Sequence, residues 1–399
     1  METGILDQAA AISGDIAELR HSLHAEPEIG LDLPKTQRKV LQALDGLPLE
    51  IRCGQALTSV TAVLRGARPG KTVLLRGDMD ALPVTERTGL PFASQLPGAM
   101  HACGHDLHTA MLAGAARLLS ARQADLVGNV IFMFQPGEEG SGGAKIMISE
   151  GVLDAAGERP VAAYALHVAA SVLPLGLVES RAGTAMAAAD TLRVTVRGRG
   201  GHGSQPHRAA DPIPAACEMV TALQTMVTRR FDVFDPVVLT IGTFHAGTAD
   251  NVIPEDAAFV ATVRTFSPRT RDRVRDSALH LVRQIAAAHG LDAEAAFVDG
   301  YPVTVNDQAE FEFAERTTGE LLGDGRFQTT RFPLTGSEDF SYVLEQVPGA
   351  FIMLGACPPG TDPATAPYNH SAEAVFDDAA LADGTALYAQ LALSRLEAG

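Results

Sequence analysis

The stretch Met100–His108, MHACGHDLH, places His101, Cys103, His105, Asp106 and His108 within eight positions of a 399-residue chain. It holds three of the twelve histidines and one of the four cysteines. Imidazole nitrogen and thiolate sulfur are the donors that borderline transition metals such as zinc prefer. Gly104, between Cys103 and His105, lets the backbone turn tightly enough to aim both side chains at one point. Two other chemistries compete with a metal centre. One is a helix start with a buried cysteine and polar caps. The other is a cysteine nucleophile with a histidine base.

The second chemical motif is Pro-Gly-Glu138-Glu139-Gly-Ser-Gly-Gly, which follows the apolar run Asn129–Gln135. Two adjacent carboxylates repel one another unless a cation neutralises them. A metal allows a division of labour in which one glutamate binds the ion and the other takes a proton from water. A cysteine-nucleophile mechanism has no use for this pair. The alternative for the pair itself is a charged surface turn.

These motifs need elements that bring them together. Residues 5–25 read as one amphipathic helix, with Ile5, Ile12, Ile16, Leu19 and Leu23 at helical spacing, and Thr36–Leu44 as a second. Ser59–Leu64, Thr72–Leu75, Asn129–Gln135 and Val161–Leu166 read as strands. The second strand runs into Asp78-x-Asp80, the third into the glutamate pair, and the fourth delivers His167 at its end. In an open α/β sheet, ligands collect at the carboxyl edge of the strands, so three strands agree on one place. Taken alone, Asp78 and Asp80 read as the caps of a turn; beside metal-binding histidines, a strand-end aspartate suits the orientation of an imidazole. The histidine and cysteine motif is placed in the loop before a helix over Thr109–Ala121, where helix-start N–H groups favour a thiolate.

From about Gly183 the pattern changes. Strands at Thr191–Val196, Val237–Thr243, Ala257–Thr265 and Ala295–Val298 and helices at Pro212–Arg229 and Asp272–Ala288 follow the order β-α-β-β-α-β. That order fits a four-stranded sheet with two helices on one face, inserted into the first domain. Its polar anchors are His202 in a glycine-rich segment, Asn251 and Arg264. An arginine with a nearby amide can hold a substrate carboxylate in a fork. The chain then returns through a helix at 310–323, a loop with Ser337 as expected N-cap, a strand at Phe351–Gly355, Tyr368-Asn-His370-Ser, and a last helix near Asp377–Leu396. His370 is a further candidate ligand from far along the chain.

Composition bounds the partners. Hydrophobic residues make up 46% and charged residues 20%, ordinary for a globular protein. The net charge of 31 − 48 = −17 argues against nucleic acid or an anionic membrane as partner. No apolar run approaches the ~20 residues of a membrane span, and Met1–Arg20 lacks the layout of a signal peptide. Scattered cysteines at 53, 103, 217 and 357 suit a reducing cytoplasm.

The motifs RGDMDALP, MHACGHDLHTAMLAGAA, FQPGEEGSGGA, LHV, GRGGHGSQP, NVIP and YNHS together resemble the amidohydrolase branch of the aminoacylase/carboxypeptidase metallohydrolase superfamily. That branch holds hippurate hydrolases, auxin-conjugate hydrolases and N-acyl-amino-acid deacylases. The resemblance runs from His24-Ala-Glu-Pro-Glu28 to the last loop. It implies an α/β fold: a zinc-exopeptidase-like catalytic domain with a mixed central sheet flanked by helices, formed by residues 1–182 and 300–399. An α+β lid domain is expected at 183–299. It implies two divalent metal ions (zinc, manganese, cobalt or nickel) held by Cys103, His105, Glu139, His167 and His370, with Cys103 bridging both. Glu138 is the expected general base. His202 would polarise the scissile carbonyl, in many relatives from the partner subunit of a dimer. Asn251 and Arg264 would contact substrate. Other branches have a histidine where this chain has Asp78 and a bridging aspartate where it has Cys103, and His105 makes up the ligand count. The implied activity is hydrolysis of N-acyl amino acids, with a dipeptidase or carboxypeptidase on the same scaffold as the alternative. The implied assembly is a homodimer or homotetramer through the lid.

Overall fold

A computed structural model describes residues 4–398. The chain divides into two compact units. One comprises the residues up to Ala185, Val305–Phe332 and those from Asp339 onward; the other comprises Met186–Thr304 and Pro333–Glu338.

The first unit is built on an eight-stranded mixed sheet. Its spatial order is Leu49–Cys53, Val60–Arg65, Val127–Gln135, Arg68–Asp78, Ala162–Pro174, Gly349–Cys357, Val178–Ser180 and Phe327–Thr329. The strands Val127–Gln135, Arg68–Asp78, Ala162–Pro174 and Gly349–Cys357 run parallel to one another. Val127–Gln135, Arg68–Asp78 and Gly349–Cys357 are almost wholly buried over their second halves, as strands covered on both faces are. The helix His105–Ser120 is buried at every residue but Arg117. Its surface is apolar nearly all round, so it sits between layers rather than on one. It packs against the sheet, the helix Ser13–Ala25 and the last helix, Ala380–Glu397. Leu107, Leu112 and Leu119 are fully enclosed there, each stabilising by about 1.5–3 kcal/mol.

Three expectations shift. The N-terminal helix is two helices, Ile5–Ala11 and Ser13–Ala25, separated at Ile12. The Ser13 hydroxyl donates to the Ala10 carbonyl and satisfies a terminal acceptor there. The helix expected from Thr109 begins at His105, so His105, Asp106 and His108 occupy its first turn rather than a preceding loop. Ser337 caps no helix; the short helix Ser341–Leu344 follows Phe340 instead.

A buried ionic network ties Ser13–Ala25 to the start of His105–Ser120. Arg20 Nε donates to Asp106 Oδ2 at 2.8 Å and His24 Nδ1 lies 2.9 Å from the same oxygen. His24 Nε2 lies 3.2 Å from Glu86 Oε2. Burial opposes a charge on His24, but the Asp106 and Glu86 carboxylates outweigh it and raise its pKa from 6.5 to about 9. A group whose folded pKa is raised stabilises fully below its unfolded pKa and loses that contribution as pH rises through the folded value. Compared with a His24→Gln variant, the wild type is therefore expected to hold its full advantage, on the order of 2–3 kcal/mol, near pH 6 and to lose most of it by roughly pH 10. Denaturant unfolding of both proteins across that range measures the difference, and parallel pH profiles would refute it.

The second unit has a four-stranded antiparallel sheet in the order Val237–Ala246, Asp256–Thr265, Ala188–Arg197 and Asp292–Tyr301. The helices Pro212–Arg230 and Pro268–Ala288 pack on it and on each other. Both begin at side-chain caps, Asp211 and Ser267, with proline in the first turn, the usual arrangement for a defined helix start.

Candidate metal centre

The parallel strands of the first unit end together. Asp78 closes one strand and Gln135 its neighbour, three residues before Glu138. His167 does not end its strand, which continues to Pro174. Arg76 pairs with Ala165, so the chain at His167 is level with the end of the strand Arg68–Asp78. The overshoot leaves His167 at the same sheet edge.

Cys103, His105, Glu139, His167 and His370 come together there. Three triads each have donor atoms within 4.8 Å of one another: Cys103, His105 and His167; Cys103, Glu139 and His370; His105, Glu138 and Glu139. The Cys103 sulfur lies 3.4 Å from His167 Nε2 and 3.3 Å from His370 Nε2. His370 Nε2 lies 3.2 Å from Glu139 Oε1. Gly104 has φ +83°, and a Cβ there would come within 2.3 Å of a Val168 methyl. Only glycine allows this turn at this closeness.

The ring tautomers suit ligation. His167 Nδ1 is 2.9 Å from the Val168 carbonyl. A carbonyl only accepts, so Nδ1 carries the proton and the bare Nε2 faces the sulfur. Burial holds this imidazole neutral, its pKa well below the ordinary value. His108, by contrast, is fully engaged: Nδ1 meets Asp78 Oδ1 at 2.5 Å and Nε2 accepts from Val168 N at 2.8 Å. It braces the helix against two strands and has no lone pair left for a metal. His101 is buried with neither ring nitrogen hydrogen-bonded, and burial lowers its pKa to about 3.

His105 is the clearest sign of a cation site. It is fully buried and neither ring nitrogen has a hydrogen-bond partner. Asp80 Oδ1, Asp78 Oδ2 and Glu139 Oε1 surround it at 3.5, 3.6 and 3.9 Å. Burial alone would keep the ring neutral, yet Asp78, Cys103 and Asp80 raise its pKa well above the ordinary value. Glu139 Oε1 is likewise buried without a hydrogen bond. Orphaned donor atoms in an enclosed anionic cluster cost free energy unless a cation completes them. The donor set of thiolate, imidazoles and carboxylate fits a late divalent metal.

Asp80 does more than orient His105. Its two oxygens accept from the backbone N–H groups of Glu138 and Glu139, both at 3.0 Å. One carboxylate therefore aims the glutamate pair. Behind it, Arg76 donates to Gln135, Asp78 and Asp339, and Asp339 accepts from Ala144 N. Arg76 is visible in sequence only as the first residue of RGDMD, and nothing local announces its partners 59 and 263 residues away.

The remaining sequence candidates lie in the second unit. His202 is exposed and belongs to the short strand Gly201–His202, which pairs with Val252–Ile253. The segment is held rather than loose: Gly203 N donates to the Asn251 carbonyl at 2.7 Å. Ser204 N donates to His202 Nδ1 at 3.1 Å. A neutral His202 therefore carries its proton on Nε2, which is free to donate. Arg264 is half-buried and its guanidinium bonds the Ser337 hydroxyl at 3.2 Å. No carboxylate forms an ion pair with it among the described residues, unlike Arg271, which pairs with Asp190.

Residues 74–394 match the model of peptidase family M20/M25/M40. The chain belongs to this family. It is 37% identical over 383 residues to thermostable carboxypeptidase 1 of Saccharolobus solfataricus, covering 95% of this chain and 94% of the relative. It is 34% identical over 396 residues to hippurate hydrolase of Campylobacter jejuni, covering 98% and 100%. Among solved structures it is similar to a Bacillus subtilis dinuclear metal-binding peptidase of family M20, with TM-score 0.82, 32% identity and coverage of 97% and 99%. The protein is an amidohydrolase-branch hydrolase of family M20/M25/M40, with that family's α/β fold.

Proposed function

We propose that the protein hydrolyses the amide bond of N-acyl amino acids, giving a carboxylic acid and a free amino acid, with two divalent cations per subunit. The observation that carries this reading is the cluster of Cys103, His105, Glu139, His167 and His370 around orphaned buried donors, with Glu138 beside it. Those five residues would hold the metals, and Glu138 would be left for proton transfer. Bound there, a divalent cation supplies Lewis-acid polarisation and acidifies water.

The chain's own residues do the rest. Glu138 takes a proton from the attacking water and returns it to the leaving nitrogen. His202 donates Nε2–H to the carbonyl oxygen as charge develops. Arg264, with no carboxylate of its own, and Asn251 are assigned to the substrate carboxylate. The similarity to a hippurate hydrolase supports an N-acyl substrate. The similarity to a thermostable carboxypeptidase keeps a peptide substrate as the second reading.

The strand Val237–Ala246 lies at the edge of its sheet and exposes Val238 and Phe244, which supports a homodimer or homotetramer through this unit. Four free cysteines support a reducing cytoplasm. No helix of the described residues is long and apolar enough to cross a membrane.

The test is a panel of N-acetyl, N-benzoyl and N-indoleacetyl amino acids beside a dipeptide with a free amine, assayed on metal-reconstituted protein. Turnover of an N-acyl substrate above the dipeptide, abolished by a chelator and restored by added metal, is expected. Preferred cleavage of the dipeptide would establish the second reading, and indifference to chelation would overturn both.

A further inference from the structure

His370 presents a problem of placement. Its side chain is 53% exposed, and its φ of +73° lies in the left-handed region. A non-glycine residue there is strained and persists only where its surroundings hold it. Yet its Nε2 lies within 3.3 Å of both Cys103 Sγ and Glu139 Oε1. Something must hold this loop, and packing of the imidazole cannot.

The neighbouring Asn369 does so. Its Oδ1 accepts from Ala170 N at 2.9 Å, and its Nδ2 donates to the Val168 carbonyl at 3.0 Å. The same Nδ2 reaches the Cys103 carbonyl at 3.4 Å and the Cys103 sulfur at 3.9 Å. The amide orientation is unique, because a backbone N–H can only donate and the carbonyls can only accept. Val168 and Ala170 follow His167 on its strand, at positions one and three beyond it. One side chain thus joins three ligand-bearing segments: the strand of His167, the turn of Cys103 and the loop of His370. A second tether, His370 N to the Ala102 carbonyl at 2.8 Å, closes the loop onto the same turn.

We propose that Asn369 is the positioning residue of the metal centre, fixing the strained His370 loop and supplying an N–H to the Cys103 thiolate. This rests on the metal-centre reading above. Hydrogen bonds to sulfur withdraw charge from a thiolate, and partners that orient ligands typically change metal affinity ten- to a hundredfold when removed.

The test compares Asn369→Leu with Asn306→Leu in the full-length protein. Asn306 is an equally well-bonded buried asparagine, joined to Ser180, Arg181 and Phe351 in the same unit. Zinc affinity is measured by chelator competition, and the thiolate-to-cobalt charge-transfer absorption is recorded on cobalt-substituted protein. Asn369→Leu is expected to weaken zinc about ten- to a hundredfold and to alter the cobalt band. Asn306→Leu is expected to lower stability while leaving both metal readouts in place. Should Asn369→Leu fail to fold, Asn369→Ala removes the amide with less intrusion and is read in the same way. Wild-type zinc affinity with an unchanged cobalt band in a folded Asn369 variant would overturn the proposal, as would an equal affinity loss in Asn306→Leu. A wild type that takes up no metal would instead overturn the metal-centre reading itself.

Discussion

Replacing Glu138 by glutamine is expected to lower kcat by about 10²–10⁴-fold while leaving metal content at the wild-type level. The substitution keeps the side chain's size and its capacity to accept a hydrogen bond, and removes only the basic oxygen. Glu138 is buried, and its backbone N–H is held by Asp80, so the loop should keep its course. Glu139 remains beside Cys103 and His370, so the donor set assigned to the metals stays intact. A ligand role for Glu138 would give the opposite pattern, with metal lost in parallel with activity. Metal analysis together with steady-state kinetics separates the two. Near-full activity in Glu138→Gln would end its assignment as the base, and metal depletion would move it into the ligand set. Because Asp80 aims both glutamates through backbone bonds, Asp80→Ala should disturb activity and metal content together, whereas Glu138→Gln should not.

Much of this site could be read from sequence because its parts are local. An apolar run ending in an acidic motif identifies a strand and its carboxyl end, and Asn129–Gln135 before Glu138 and Glu139 is such a case. The order of helices and strands in the middle segment likewise shows in hydrophobic periodicity, since its two central strands, Ala188–Arg197 and Asp256–Thr265, each bury alternate residues. Other features depend on partners far away. The strand of His167 runs seven residues past the histidine, pairing there with Leu354, Gly355 and Cys357; that strand is legible locally, but its pairing with this one is not. Ser337 resembles a cap by type, but it meets Arg264 instead. His108 resembles a ligand by spacing, yet both its nitrogens are taken by Asp78 and by a strand backbone. Asn369 stands next to a candidate ligand in the YNHS motif, but its role is set by carbonyls at positions 103 and 168. Local chemistry nominates residues, and tertiary hydrogen bonds decide which of them are free to react.

The same principle makes Arg76→Met the most destabilising single change expected in the first unit. Arg76 is fully buried, and its guanidinium bonds Asp78 Oδ2 at 2.6 Å, Gln135 Oε1 at 2.8 Å and Asp339 Oδ1 at 3.0 Å. Methionine fills most of the volume but leaves two enclosed carboxylates without their cation. Removing one partner of a buried ionic cluster typically costs about 3–5 kcal/mol, because the remaining charge stays desolvated. Burial already raises the Asp339 carboxyl to about 6 against the pull of Arg76. Without the guanidinium, the Asp339 carboxyl should bind its proton still more tightly in the folded state than in the unfolded chain, and Asp78, still paired with His108, loses part of what holds its pKa down. Stability of the variant should then rise as pH falls from neutrality toward the ordinary carboxylate range, relative to wild type. Adding Asp339→Asn to Arg76→Met should recover part of the loss, since one uncompensated charge is gone, and the double-mutant cycle should show strong coupling. Denaturant unfolding of the four proteins at two pH values tests each part. A deficit below about 1 kcal/mol, or one that deepens on acidification, would mean that water reaches these carboxylates and that the network behind Asp78 is not what holds this edge of the sheet.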